Sequence, residues 1–133
     1  MNLPIITSAV ALCATVTGGL LSGLYFAFEV STRKSFTRLP DDQYVEVFAG
    51  INQAILNPRF LTVFALAPLS SVLLAILVPT RWTILAATAS LVALGITVAG
   101  NVPLNNYLDN AFTSQIAVSE IRANFESRWN SLN

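Results

Sequence analysis

The chain has 133 residues, of which 54% are hydrophobic and 11% are charged, and its seven basic and seven acidic side chains cancel. Soluble domains carry about 25% charged residues, so this composition argues against an ordinary soluble protein. Zero net charge gives no electrostatic reason to expect a nucleic-acid partner. Without histidine and with one cysteine, the chain lacks the usual ligands of zinc, copper and iron sites. We expect no metal site and no cofactor.

The charged residues lie in three zones that are separated by long uncharged runs. These runs are residues 1–28, 60–80 and 82–108. A helix needs about 20 apolar residues to cross a hydrocarbon core about 30 Å thick, whereas a helix of a soluble domain needs a polar face. We therefore predict one all-α integral membrane domain over 1–133, a small helical bundle with three transmembrane spans. The predicted spans are residues 4–28, 60–78 and 82–102.

Two further segments are predicted as amphipathic helices at the membrane interface. In residues 41–57, the acids Asp41 and Asp42 stand at the positive end of the helix dipole. Apolar residues then recur with helical spacing, at Tyr44, Val47, Phe48, Ile51 and Ile55. Residues 114–129 form the second helix. A polar and basic segment, 29–39, follows the first span, and the segment 100–106 is predicted as a helix break that follows the third.

The small residues and the basic residues support two further predictions. The Gly19-x-x-x-Gly23 spacing lets another helix approach closely within lipid, so this face is a predicted helix-packing surface. Six of the seven basic residues lie in 29–59 and in the tail, and Arg81 stands alone between the second and third spans. The positive-inside rule then places the N-terminus outside, with the loop 29–59 and the C-terminal tail in the cytoplasm.

Amides and other polar groups follow the amphipathic helices and the third span. They include Asn52, Asn57 and Arg59, then Asn101, Asn105 and Asn106, and finally Arg128, Trp129 and Asn130. In the predicted topology, all three groups lie at the same membrane level. An amide at that depth needs a partner. Two interpretations stay open, a hydrogen-bonded clamp between helices and a pocket for a polar aromatic ligand.

Four segments resemble the anthrone oxygenase-like family of small membrane proteins, a domain of unknown function. They are GLYFAF at 23–28, GINQAILNP at 50–58, AGNVPLN at 99–105 and FESRWN at 125–130. The resemblance covers almost the whole chain in the same order. Relatives usually have a fourth transmembrane helix after the Arg-Trp-Asn segment, and many have an apolar segment where this chain has residues 31–35.

The resemblance implies cofactor-independent oxidation of a hydrophobic phenolic substrate by O₂. An anthrone C–H is acidic and its carbanion reacts with O₂, so a flat apolar cavity, donors to the enolate oxygen and a proton acceptor suffice. The candidate catalytic residues are Asn101, Asn105 and Arg59. The candidate binding residues are Asn52, Asn57, Tyr25, Trp129 and Asn130.

A non-catalytic accessory or structural subunit of a larger membrane complex is the alternative function. The small extramembrane mass, the glycine face and the lack of a fourth span favour this class, and fold resemblance alone does not establish catalysis. The expected partners are the lipid bilayer, a second copy or a membrane complex, and a hydrophobic aromatic small molecule. Carrier-type transport is a weaker prediction, because neither internal repeats nor charges within the spans are visible.

Overall fold

The computed structural model describes residues 3–114 and 116–133. Helix accounts for 89% of the structure, and no strand occurs in the described ranges, which confirms the all-helical prediction. The α-helices are α1 (Leu3–Ala27), α2 (Arg33–Phe36), α3 (Asp41–Ile55), α4 (Pro58–Leu77), α5 (Arg81–Ile96), α6 (Val102–Phe112) and α7 (Val118–Leu132). Two π turns, Phe28–Thr32 and Thr97–Asn101, join α1 to α2 and α5 to α6.

Three helical stretches are long and apolar enough to cross a membrane, as the uncharged runs predict. They are Leu3–Phe36, Pro58–Leu77 and Arg81–Phe112. The first and third are longer than the predicted spans because each continues through a π turn into another short helix. Their length and apolar composition are those of membrane-spanning helices.

The polar segments after the first and third spans are both helical, so the helix break predicted at 100–106 is wrong. Residues 29–36 remain helical, and the Arg33 guanidinium bonds to the Glu29 carboxylate one turn earlier at 2.7 Å. The segment 100–106 also remains helical, with Pro103 in the first turn of α6, where a missing N–H costs little. The helix predicted at 114–129 begins at Val118 and ends at Leu132, and Gln115 lies outside the described residues.

The chain divides into two compact units. The first comprises the chain up to Leu24 together with Pro58–Leu94. Its buried side chains are small or polar, namely Thr17, Ala67, Pro68, Ser70, Ser71 and Ala87. The Ser90 and Ser71 hydroxyls approach to 3.4 Å between α5 and α4. Small residues allow close packing of helix backbones where lipid supplies no hydrophobic drive between helices.

The second unit comprises Tyr25–Asn57 together with Gly95–Asn133, and its core is aromatic. The Phe48 ring has its centroid 4.8 Å from that of Phe125 and 4.9 Å from that of Trp129, both at steep angles. Tyr44, Phe36 and Phe28 surround this group with edge or tilted contacts. Such aromatic pairs stabilise a core by more than the buried area of their rings accounts for. Aromatic packing therefore contributes to the contact between α3 and α7.

Helix α3 buries a different face from the predicted one. Tyr44 and Phe48 are buried as predicted, whereas Val47 and Ile51 are exposed. The remaining buried positions are Val45, Ala49 and Asn52. The helix has two overlapping apolar stripes, and the bulky rings of α7 pack on the stripe that contains the small Ala49.

Candidate functional site

Three polar residues lie along one side of α6, spaced by four residues. They are Asn101, Asn105 and Asp109, which we call the α6 polar row. Residues four apart on a helix are neighbours on its surface, so the row presents its polar groups to the same neighbouring helices. Asn101 belongs to the second π turn, and the other two belong to α6.

Two members of the α6 polar row bond to other helices. The Nδ2 of Asn52 on α3 donates a hydrogen bond to the Oδ1 of Asp109 at 3.3 Å. The indole Nε1 of Trp129 on α7 donates to the Oδ1 of Asn105 at 2.7 Å. Each bond joins two helices and satisfies a polar group that is buried or half-buried.

The third member, Asn101, is buried without a partner for its carbonyl. Only 6% of the residue is exposed, and its Oδ1 accepts no hydrogen bond within residues 3–114 and 116–133. A buried acceptor that lacks a donor costs about 1–3 kcal/mol, and native structures hold few such groups. A ligand that donates a hydrogen bond to the Asn101 carbonyl would therefore remove this cost.

Each π turn has a residue that lies close to the C-terminal half of α7. The Phe28 ring, in the first π turn, has its centroid 4.9 Å from that of Trp129. In the second π turn, a Cβ added to Gly100 would lie 2.8 Å from the Cδ1 of Leu132. Single π turns within α-helices are frequent at functional sites. The candidate site is therefore Asn101 with Phe28, Asn105, Trp129 and Leu132.

The other predicted residues lie elsewhere. Asn57 is exposed, and its Nδ2 donates to the Ala54 carbonyl at the end of α3. Asn130 is half-buried beside a surface cleft, and Tyr25 is half-buried near the end of α1. Arg59 is exposed in the first turn of α4, which belongs to the first compact unit. The structure thus connects Asn105 to Trp129 and Asn52 to Asp109 of the same polar row.

The glycine face of α1 is open. A Cβ added to Gly18, Gly19 or Gly23 would meet no atom within 4 Å. Gly19 and Gly23 are also exposed. The helix-packing surface that their spacing predicts stays a prediction.

Arg122 joins α7 to the start of α3 and to the loop before it, and the sequence analysis did not predict this role. Its guanidinium bonds to Glu126 at 2.7 Å, to Asp41 at 3.0 Å and to the Leu39 carbonyl at 2.7 Å. It also lies over the Tyr44 ring, 4.4 Å from the centroid. The hydrogen bond to Glu126 is the main reason that the pKa of Arg122 is raised. The four-residue spacing of Arg122 and Glu126 was the available sequence signal.

Burial is the main cause that raises the pKa of Tyr44, and the negative charge of Glu126 adds to it. The phenol therefore stays neutral, and its ring forms part of the hydrophobic core. Among the described residues, no three His, Cys, Asp or Glu side chains are grouped as metal ligands. No protein-family model, no curated protein and no solved structure matches this chain.

Proposed function

We propose that this integral membrane protein binds a hydrophobic, hydroxyl-bearing aromatic molecule at Asn101 and oxidises it with O₂, as the resemblance to anthrone oxygenases implies. The observation that carries the proposal is the buried Asn101 carbonyl, which lacks a donor.

In the proposed orientation, the N-terminus is outside, and residues 29–59 and the tail are cytoplasmic. Labelling of Ser35→Cys, Ser127→Cys and Arg81→Cys in a Cys13→Ser background tests this, since only Arg81→Cys should react from outside.

The side chains around Asn101 suit a flat phenolic ligand. The free carbonyl accepts the phenolic O–H, and the amide N–H of the same side chain faces a developing enolate oxygen as a donor. Trp129 and Phe28 offer aromatic faces, and the bond from Trp129 to Asn105 fixes the indole ring. Leu132 is 38% exposed at the end of α7, so its movement is the easiest way to admit a ligand.

The proposed reaction needs no group beyond substrate and O₂. The anthrone CH₂ loses a proton to water, and the carbanion bonds to O₂ to give a hydroperoxide after protonation. Loss of water from the hydroperoxide leaves the C=O of the anthraquinone, so CH₂ and O₂ become C=O and H₂O. The role of Asn101 is to stabilise the enolate form of the substrate. Arg59 stays a separate prediction, because the proposal does not use it.

Oxygen uptake by the purified protein in mild detergent tests the enzyme. With a dihydroxyanthrone, the wild type should consume O₂ and form the anthraquinone faster than the uncatalysed background. Asn101→Ala should lose about 10²–10³-fold in rate, the effect of removing one oxyanion donor. Asn106→Ala is the matched control, because Asn106 is exposed on the same helix. No uptake above background, or equal rates in both variants, contradicts the proposal.

An accessory or structural membrane subunit is the second candidate, and the open glycine face favours it. Gly19 and Gly23 leave room for the backbone of another helix, which would come from a second copy or a membrane complex. Purification in mild detergent should then give an assembly larger than the monomer. Gly19→Leu with Gly23→Leu should shift it to the monomer, whereas Gly50→Leu on α3 should not. A wild type that is already monomeric rules out this candidate.

A further inference from the structure

The second compact unit has a wide polar cleft whose charges are already neutralised. This cleft has a volume of about 660 Å³, and it is lined by Arg33, Thr37, Arg122, Glu126, Ser127 and Asn130 among others. Arg33 pairs with Glu29 at 2.7 Å. Arg122 pairs with Asp41 and with Glu126, and the latter itself lines the cleft. Because both guanidinium groups have carboxylate partners, this cleft has no spare positive charge for an anion.

A smaller cleft between α6 and α7 differs in charge. It has a volume of about 330 Å³ and is lined by Pro103, Leu104, Tyr107, Asn124 and Arg128, and we call it the Arg128 cleft. Arg128 is exposed, and its guanidinium makes no ion pair or hydrogen bond to any part of the chain that the structure describes. No carboxylate belongs to the lining, so the cleft carries a net positive charge.

The hydrogen bond within the Arg128 cleft leaves a second donor available. The Nδ2 of Asn124 donates to the phenolic oxygen of Tyr107 at 3.3 Å. Since that oxygen already accepts a bond, the phenol O–H remains free to donate to a ligand. A guanidinium and a phenol O–H, with Pro103 and Leu104 as an apolar wall, fit an anionic group attached to an apolar body.

The position of the cleft along the chain matches the level of lipid headgroups. Arg128 lies one helical turn beyond Asn124 on α7, and Pro103 lies one turn before Tyr107 on the third membrane-spanning stretch. That stretch begins at Arg81, and about 20 residues cross the hydrocarbon core. Pro103 therefore lies just past the apolar core, where lipid phosphates are found.

We propose that the Arg128 cleft binds the phosphate of an anionic membrane phospholipid. Arg128 takes the phosphate oxygens through its two-pronged guanidinium, and Tyr107 donates one further hydrogen bond. Pro103 and Leu104 contact the glycerol and the upper acyl carbons. A lipid whose phosphate is joined to a quaternary amine binds less well, because no carboxylate of the cleft lining balances that cation.

Titration of the full chain in mild detergent tests this site, with bound lipid counted by native mass spectrometry. The probes are a short-chain phosphatidylglycerol, the matching phosphatidylcholine, and glycerol 3-phosphate. Phosphatidylglycerol should bind most tightly, and Arg128→Gln should weaken it about tenfold or more, as expected for a charge-assisted hydrogen bond. Tyr107→Phe should weaken it by a few-fold. Arg38→Gln is the matched control, because Arg38 is also exposed and makes no ion pair within the described residues.

Three results overturn the proposal. Equal affinities in Arg128→Gln and Arg38→Gln would show that the detergent-bound lipid does not use this cleft. Equal binding of glycerol 3-phosphate and the lipid would assign the site to a soluble phosphate ester. Equal binding of phosphatidylcholine and phosphatidylglycerol would remove the charge preference that the cleft predicts. The substituted residues lie outside the Asn101 site, so oxygen uptake tests the proposed function independently.

Discussion

The indole Nε1 of Trp129 donates a hydrogen bond of 2.7 Å to the side-chain carbonyl of Asn105. This bond joins α7 to α6 in the middle of the aromatic core, where Trp129 also contacts Phe48 and Phe28. A buried indole N–H needs an acceptor, so Asn105 allows a tryptophan at this position. Asn105 and Trp129 belong to the second compact unit, which also contains Asn101.

Asn105→Ala should destabilise the second compact unit. It leaves the Trp129 N–H without an acceptor in a largely buried position, which costs about 1–3 kcal/mol. The free energy of unfolding is measured by denaturant titration in detergent, with Trp129 fluorescence as the signal in a Trp82→Phe background. Asn106→Ala should stay within about 0.5 kcal/mol of wild type, since surface substitutions away from such features do so. Equal losses in both variants would show that the Trp129 bond contributes nothing.

Asn52 and Asn101 are a matched pair of buried amides with different partners. Their exposed fractions are 5% and 6%, but Asn52 bonds to Asp109 whereas the Asn101 carbonyl has no donor. Without ligand, Asn52→Ala should therefore lower the free energy of unfolding by about 1–3 kcal/mol more than Asn101→Ala does. The comparison uses the same denaturant titration. A larger loss in Asn101→Ala would show that the Asn101 side chain is structurally satisfied, and would remove the basis of the proposed ligand site.

The sequence predicted the three long apolar helices well, because an uncharged run of about 20 residues is a strong local signal. It mispredicted their ends because polarity was taken as a sign of a loop. The asparagines of α6 are polar, yet Asn105 and Asp109 bond to other helices. Such partners come from the tertiary structure, which a local pattern does not contain.

The buried face of α3 shows the same limit. Val47 and Ile51 fit a helical stripe as well as Val45 and Ala49 do, and helical spacing alone cannot choose between them. The buried face depends on the tertiary structure, in which Phe48 packs against Phe125 and Trp129 of α7. The site residues stay a prediction, although Asn52, Asn101, Asn105 and Trp129 all lie in the second compact unit. Phe28 and Leu132 could not be predicted, because their contacts with Trp129 and Gly100 involve the π turns.

Arg122→Lys should be destabilising although it keeps the charge. A lysine ammonium cannot reproduce the planar fork that reaches Glu126, Asp41 and the Leu39 carbonyl together. Asp41 is 44% exposed, so its ion pair contributes little, and most of the loss comes from the more buried bonds. We expect about 2 kcal/mol by denaturant titration. Arg38→Lys is the control and should change nothing measurable, and an equal effect would contradict the role of Arg122.

The pH dependence of stability should report the burial of Tyr44. Burial raises the pKa of this phenol in the folded protein, whereas an unfolded tyrosine has a pKa of about 10. The stabilising effect is therefore complete below pH 10 and decreases above it, because only the unfolded chain then releases the proton. The slope should reach about 1.4 kcal/mol per pH unit.

Tyr44→Phe tests this effect, because it keeps the ring contacts with Phe48 and Phe36 and removes the titrating group. The free energy of unfolding is measured between pH 8 and about pH 11.5, a window set by the unfolded pKa. The wild type should lose stability relative to Tyr44→Phe as the pH rises above 10, while their difference below pH 9 should stay constant. Parallel curves over the whole range would mean that the Tyr44 phenol ionises as easily in the folded protein as in the unfolded chain.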